Sequence, residues 1–443
     1  MAGRPSNRRA LDVWMNGERV GEWSISPTGH AFAYEESWFK SEHVRPISLS
    51  MPLSSAPLTG KIVENFFDNL LPDSTDIRKR VAERVGAVSV SPFDLIEKIG
   101  RDCVGAIMVL PEGTEAPDVR KIEATPLSTS DIEQLIDSTL HGKGIGYGIE
   151  DDDVLQLSIA GAQEKTALIW HDEQWCRPQG ATPTTHILKL PLGLIGGGRV
   201  DFSSSVENEW ICSLIAKAYG LDVAHCDIEY FGKYKALVVE RFDRRKLGNW
   251  WARLPQEDFC QVLGSPPNNK YENIGGPGMA SILDKLRGSA EAQKDRRDFL
   301  ATQLLFWMLA APDGHGKNFS VFIGDSGAFQ LTPLYDILSA WPMIGNEAGK
   351  FQWKKLTLAM AVHGKNVHYK MAEITRRHWS EVARRNNLGS DFEDVIGVFI
   401  ARTPVVIAEV ASQLPPDFPD AVSIPIFEGL LRQATLLESQ PPN

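Results

Sequence analysis

An apolar helical run from Phe299 to Ala311 is stopped by Pro312, and the chain passes into a short polar loop, Asp313-Gly-His-Gly-Lys-Asn318. A β-type alternation of Phe319, Val321 and Ile323 leads away, and a second such run, Phe329 to Leu331, delivers another carboxylate at Asp336. This order forces a helix end, a loop and two strands to meet. It suits a phosphoryl-transfer site: one carboxylate accepts a proton, and an amide oxygen five residues later and a second carboxylate hold a metal–phosphate unit. Read alone, the loop is equally a helix C-terminus with an Asp-Gly turn before a hairpin. Asp336, at the end of a strand-like run, tips the balance toward a site.

At 443 residues the chain is long enough for about three units with large cores. Its formal charge of −11 argues against non-specific nucleic-acid binding by the whole surface. No apolar stretch approaches the ~20 residues of a membrane span. The basic start, Met1 to Arg9, is not followed by an apolar segment and reads as a short tail rather than a secretory signal. Five widely spaced cysteines make neither a paired metal pattern nor a disulfide framework, so they read as reduced, mostly buried residues of a cytoplasmic protein.

Taken in order, residues 11–23 form a hairpin signal around Asn16-Gly17, and Phe32–Tyr34 and Ile47–Met51 are candidate strands. Helices are predicted at Lys61–Leu71, from an N-cap at Ser74 to Val85, and from Ser91-Pro92 onward, with a strand at Val104–Leu110. This makes residues 1–110 an α+β subdomain. Residues 111–150 read as a Pro- and charge-rich linker, a short helix at Asp131–Leu140 and a flexible loop, Gly142 to Gly148. That glycine run is a poor phosphate loop, because the acids Glu150 to Asp153 beside it would repel phosphate.

Residues 155–170 place strand-like runs around the small-residue turn Ala160-Gly161-Ala162, whose bare amides suit phosphate oxygens, although an ordinary hairpin turn reads as well. Thr184–Leu190 is a strand with one lysine, Lys189, among apolar neighbours. Such a lysine calls for an anion unless it sits on a solvated edge. A long helix, Ser203–Tyr219, carries Glu207 and Glu209 near its start, and strands follow at Asp227–Phe231 and Lys235–Glu240. After Arg245 the chain reads as helical at 255–263, 278–286, 295–311, 368–386, 392–414 and 427–437, apart from the two strands that hold the opening loop. The result is an α+β, protein-kinase-like bilobal plan: an ATP-binding part at 151–245 clamped against a helical lobe at 246–443. His-Arg-Asp and Asp-Phe-Gly signatures are absent, and Asp313 precedes His315, the order of phosphatidylinositol-kinase loops.

Six stretches resemble the HipA family of bacterial serine/threonine toxin kinases: Glu64-Asn-Phe-Phe-Asp-Asn-Leu-Leu-Pro-Asp73, Gly100-Arg-Asp-Cys-Val-Gly-Ala106, Ser158-Ile-Ala-Gly-Ala-Gln-Glu-Lys165, Thr184-Thr-His-Ile-Leu-Lys-Leu-Pro191, Val239-Glu-Arg-Phe-Asp-Arg244 and Asp313-Gly-His-Gly-Lys-Asn-Phe-Ser320. The resemblance spans nearly the whole chain. It implies ATP and Mg²⁺ as cofactors, with Asp313 as catalytic base, Asn318 and Asp336 as metal ligands, and Lys189 and His315 at the nucleotide. The amides of Ile159, Ala160, Gly161, Ala162 and Gln163 would cover the phosphates, and Glu240 and Phe242 would hold adenine. It further implies autophosphorylation of Ser158, which would expel the loop and silence the kinase, because a dianion cannot share that space with ATP phosphates.

The partners implied are a HipB-like helix-turn-helix antitoxin dimer, operator DNA through that antitoxin, and glutamyl-tRNA synthetase as protein substrate, with growth arrest or persistence as the outcome. Pro312, directly before the base, departs from the family and would stiffen the loop entry. Basic clusters at Arg241 to Lys246, Arg376-Arg-His and Arg384-Arg385 read as solvated faces rather than DNA contacts. Two other readings stay open: a small-molecule or lipid kinase, in which the Asp-x-His order also occurs, and a catalytically inactive corepressor.

Overall fold

The computed structural model describes residues 8–141, 163, 165–195, 200–389 and 391–442. Ser158, Ile159, Ala160, Gly161 and Ala162, and the glycine run at 142–148, lie outside these residues.

The N-terminal subdomain begins with the expected hairpin, Arg9–Met15 paired with Glu18–Ser26; Asn16 and Gly17 both adopt positive φ (46° and 91°), as a type I′ turn requires. These strands join Gly29–Tyr34, Leu58–Thr59 and Ile107–Pro111 in a five-stranded antiparallel sheet. Helices Lys61–Asp68, Thr75–Val85 and Pro92–Ile99 follow. Ser74 and Ser91 cap the last two by accepting from the amides of Ile77 and Asp94, and Gly86 ends the second in the left-handed region. Leu11, Val13, Trp23, Phe32, Phe67 and Phe93 share one core, in which the Trp23 and Phe67 rings stack 3.9 Å apart. The strand expected at Ile47–Met51 is instead a turn closed by a single Ser48–Met51 bridge.

The second sheet has six strands in the order Cys226–Phe231, Tyr234–Glu240, His186–Lys189, Lys165–His171, Gln174–Pro178 and Ala124–Pro126. The last lies within the stretch read as a linker, so that stretch supplies an edge to the lobe. The turn between Lys165–His171 and Gln174–Pro178 is Asp172-Glu173, both at positive φ. Helix Thr129–His141 covers one face, where Ile132 and Ile136 meet Leu168, Leu188, Leu190 and Val238. Helix Ser205–Ala218 lies on the other, with Val206 against Leu237 and Val239.

Beyond Glu240 three expectations fail. The chain does not leave β structure there: Arg244–Leu247 and Trp250–Arg253 form another hairpin. The helix predicted at 255–263 is a strand, Gln256–Asp258, paired with Ser320–Ile323, and then one helical turn, Phe259–Val262, started by the Asp258–Gln261 capping box. Another hairpin, Thr357–His363 with Val367–Lys370, displaces the start of the predicted 368–386 helix to Arg376. Helices Met279–Lys285, Ala292–Met308, Asp391–Ala411 and Asp420–Glu438 complete the mainly helical lobe, packed around Leu300, Leu304, Trp307, Trp379, Ile396 and Ile426.

Candidate functional site

The helix feeding the loop ends at Met308, four positions before Pro312. Proline disfavours helical backbone at the residue before it, and Ala310 adopts φ 50°, so that the Ala311 amide folds back on the Phe306 carbonyl at 2.7 Å. Asp313 follows at the surface, its side chain 55% exposed. Its Oδ1 accepts from the Tyr271 hydroxyl at 2.5 Å and lies 3.9 Å from His315 Nε2. His315 is buried, and burial lowers its imidazole to about 4, so it is neutral at physiological pH.

Lys189 projects from its strand toward helix Ser205–Ala218 and the segment of Asp336, and is buried. Its ammonium donates to Glu209 Oε1 at 2.5 Å and to Asp336 Oδ1. Burial opposes that charge, but Asp336 and Glu209 hold Lys189 above its ordinary value. Burial likewise works to raise Asp336, yet Lys189 and then Lys165 hold it down at about 2. Burial raises the partner carboxyl of Glu209. Lys165 stands opposite Lys189 in the strand register. Asp336 itself adopts φ 57°, a backbone region a non-glycine residue occupies only when its surroundings hold it there. The preceding residue, Tyr335, donates to the Lys317 carbonyl at 3.0 Å, tying this segment to the loop of Asn318.

Asn318 is buried, and its Oδ1 meets no donor. An orphaned acceptor beside a carboxylate segment fits a cation, and Mg²⁺ uses only one or two protein ligands with phosphate and water completing its shell. No group of three His, Cys, Asp or Glu residues able to hold a metal occurs among the described residues, which is compatible with such a sparse set. Of the predicted phosphate loop only Gln163 is described, its Nε2 donating to the Leu190 carbonyl at 2.5 Å.

Glu240 pairs with His186, whereas Lys189 pairs with Leu237, so the Glu240 side chain lies on the opposite sheet face. There it lines a cavity of about 270 Å³ with Trp170, His186, His225 and Glu229, so only its backbone is left for the face that carries Lys189. Phe242 packs beside Phe322 and Tyr335, with centroids 5.8 and 5.7 Å away.

A profile of the HipA-like C-terminal domain matches residues 157–411, and one of the HipA N-terminal domain matches residues 11–110. The serine/threonine-protein kinase toxin HipA of Shewanella oneidensis is 31% identical over 348 residues, covering 74% of this chain and 75% of that one. The chain belongs to the HipA family. A Sinorhizobium fredii protein named as a candidate kinase, Y4mE, is 35% identical over 359 residues, 79% of this chain and 82% of its own. HipA from the Shewanella oneidensis complex of HipA, HipB and operator DNA superposes with a TM-score of 0.78 at 26% identity, covering 97% of each chain. This HipA-family chain is therefore a protein kinase of the toxin–antitoxin class.

Around these site residues the fold places side chains to which motif reading assigned no such role. Glu209 was one of two early glutamates in its helix, and only the fold shows which one meets Lys189. Lys317, within the loop, is buried: its Nζ donates to the Asn69 carbonyl (2.8 Å) and Oδ1 (3.0 Å) and lies 3.2 Å from Asp258 Oδ2. Arg241 and Arg244, expected on a solvated face, are buried as well. They bind Asp102 and Asp243, and Gly105 donates its amide to Asp243 at 2.8 Å. Gly105 has φ 75° and sits so close to Gln256 that a Cβ would fall 2.6 Å from its carbonyl oxygen. In this way the Gly100–Ala106 motif docks on the Val239–Arg244 motif.

Proposed function

We propose that this chain is an ATP- and Mg²⁺-dependent serine/threonine kinase acting as a toxin, with Asp313 as the base that takes the proton of the protein hydroxyl. The observation that carries the reading is the buried Lys189, bonded to both Glu209 and Asp336 on the side of the sheet that faces the loop of Asn318. Lys189 would neutralise nucleotide phosphate charge while Glu209 keeps its ammonium oriented. Asn318 and Asp336 would hold Mg²⁺, which when bound supplies positive charge to the phosphates. His315, neutral and buried, would serve the nucleotide as a hydrogen-bonding side chain. The backbone of Glu240 and Phe242 would hold adenine, and Gln163 with the adjoining amides would cover the phosphates.

The partner reading rests on the Shewanella oneidensis complex. By analogy this chain would pair with a HipB-like antitoxin dimer and reach operator DNA mainly through it. Glutamyl-tRNA synthetase is the substrate the family resemblance implies, and Ser158 the site of silencing autophosphorylation. The cytoplasm is the proposed location; no described helix is long and apolar enough to cross a membrane.

Purified protein incubated with labelled ATP·Mg²⁺ and a cell lysate should label protein, and Asp313→Ala should lose that transfer. Label confined to small molecules, or no transfer by the wild type, would refute the proposal. Within the same assay Ser158→Ala should lose self-labelling and keep transfer to substrate.

A further inference from the structure

Between the N-terminal subdomain and the loop of Asp313 runs a strut of two residues. Lys270 Nζ donates to Asp73 Oδ2 at 2.8 Å, and the Lys270 carbonyl accepts from the Gly316 amide at 3.1 Å. Tyr271 points the other way: its hydroxyl donates to Asp313 Oδ1 at 2.5 Å, and its ring meets the His315 imidazole edge-on at 5.0 Å between centroids. The Tyr271 carbonyl accepts from the amides of Ile274 and Gly276 at 3.2 and 3.0 Å, so the backbone that carries the ring is itself held.

Asp313 needs such a partner. A short carboxylate side chain that is more than half exposed is free to turn among rotamers, and ordering it costs entropy at every encounter. One hydroxyl on Oδ1 removes that freedom and leaves Oδ2 to face an incoming substrate hydroxyl. A general base acts only within hydrogen-bond reach of its proton, so a fixed carboxylate is a faster one. Tyr271 is a dependable donor, because burial first and then the Asp313 charge push its phenol well above the ordinary tyrosine range.

We propose that Tyr271 is a positioning residue for Asp313, and that Asp73 sets Tyr271 through Lys270, so that the N-terminal subdomain helps to arm the kinase loop. The inference rests on the reading of Asp313 as the base. In the full-length chain, Tyr271→Phe should lower kcat for transfer to protein roughly tenfold, a modest part of the effect of a positioned general base. The KM for ATP and the melting temperature should not move. Asp73 Oδ1 also lies 3.7 Å from Lys317 Nζ, so the path is tested at Lys270. Lys270→Met, which removes the bond to Asp73 and leaves the Asp73–Lys317 pair, should lower kcat in the same direction, and the double variant should fall no further than Tyr271→Phe alone, since both act along one path.

Wild-type kcat in Tyr271→Phe, with Asp313→Ala inactive, overturns the inference and leaves Asp313 as the base. A loss of kcat matched by a lower melting temperature also overturns it, since that is what a structural tyrosine would give. Activity surviving in Asp313→Ala overturns instead the reading of Asp313 on which the inference stands.

Discussion

Two buried charge clusters sit beside the six-stranded sheet, and they are built from different cations. In one, Arg241, Arg244 and Arg253 surround Asp102 and Asp243, and Asp102 also accepts from the Thr184 amide (3.0 Å) and hydroxyl (2.6 Å). Burial works to raise Asp102, yet Arg244, Arg241 and Arg253 hold it well below the carboxylate range. In the other, Lys189 faces Glu209 and Asp336.

A guanidinium is a planar fork whose donors engage several acceptors in fixed directions, whereas an ammonium is a point charge whose partners can be exchanged. The arginine cluster joins three stretches of chain and has nothing to release. The lysine cluster leaves about a third of the Asp336 side chain open to water, where the proposed nucleotide and metal would enter. Rigidity belongs to the joint, and exchangeability to the site.

The largest test of this contrast is Asp102→Asn. Three buried guanidiniums would be left over one carboxylate, and removing one partner of a buried ionic network typically destabilises by about 3–5 kcal/mol. The denaturant midpoint should fall accordingly; a change below about 1 kcal/mol, the range of an exposed pair, would end the claim that the cluster is the joint.

Lys189→Met should be milder for the fold and more severe for chemistry. Glu209, already biased toward its protonated form by burial, can take up a proton, while transfer to protein should drop by about 100-fold or more. A midpoint loss as large as that of Asp102→Asn would erase the distinction between the clusters.

The smallest effect is on acid stability. The folded value of Asp336, about 2, lies below its ordinary value of 3.8. Its contribution is therefore complete above about pH 4 and lost as the pH falls toward 2. Solvent reaching its carboxylate keeps the amplitude small. Subtracting the pH dependence of the Lys189→Met midpoint from that of the wild type should reveal this loss over that window, and a flat difference would show that Lys189 does not hold Asp336 down.

Much of the architecture was legible from local chemistry. Asn16-Gly17 selected its turn, Ser74 and Ser91 started helices, and Pro312 stopped one, because caps and turns depend on residues only a few positions apart. The misreadings arose where competing local signals met tertiary pairing. Gln256–Asp258 took a place beside Ser320–Ile323 against a helical reading, and Val367–Lys370 joined a hairpin that the 368–386 pattern concealed.

The same boundary divides the site. Spacing singled out Asp313, Asn318 and Asp336, and apolar neighbours singled out Lys189, each beside an ordinary structural reading; their roles came with the family motifs. The motifs set beside them identified the family. Nothing periodic links Asn69 with Lys317, 248 positions apart, or Tyr271 with Asp313, 42 apart. An ion pair or hydrogen bond imposes no pattern along the chain; it exists only where folding brings the atoms within about 3 Å. Whether Arg241 and Arg244 were solvated or buried was likewise undecided by composition, since an arginine lies inside only where a carboxylate arrives to meet it. Local structure and the family were thus written in the sequence. The tertiary structure decided which charges form the joint, which form the site, and that the N-terminal subdomain reaches both.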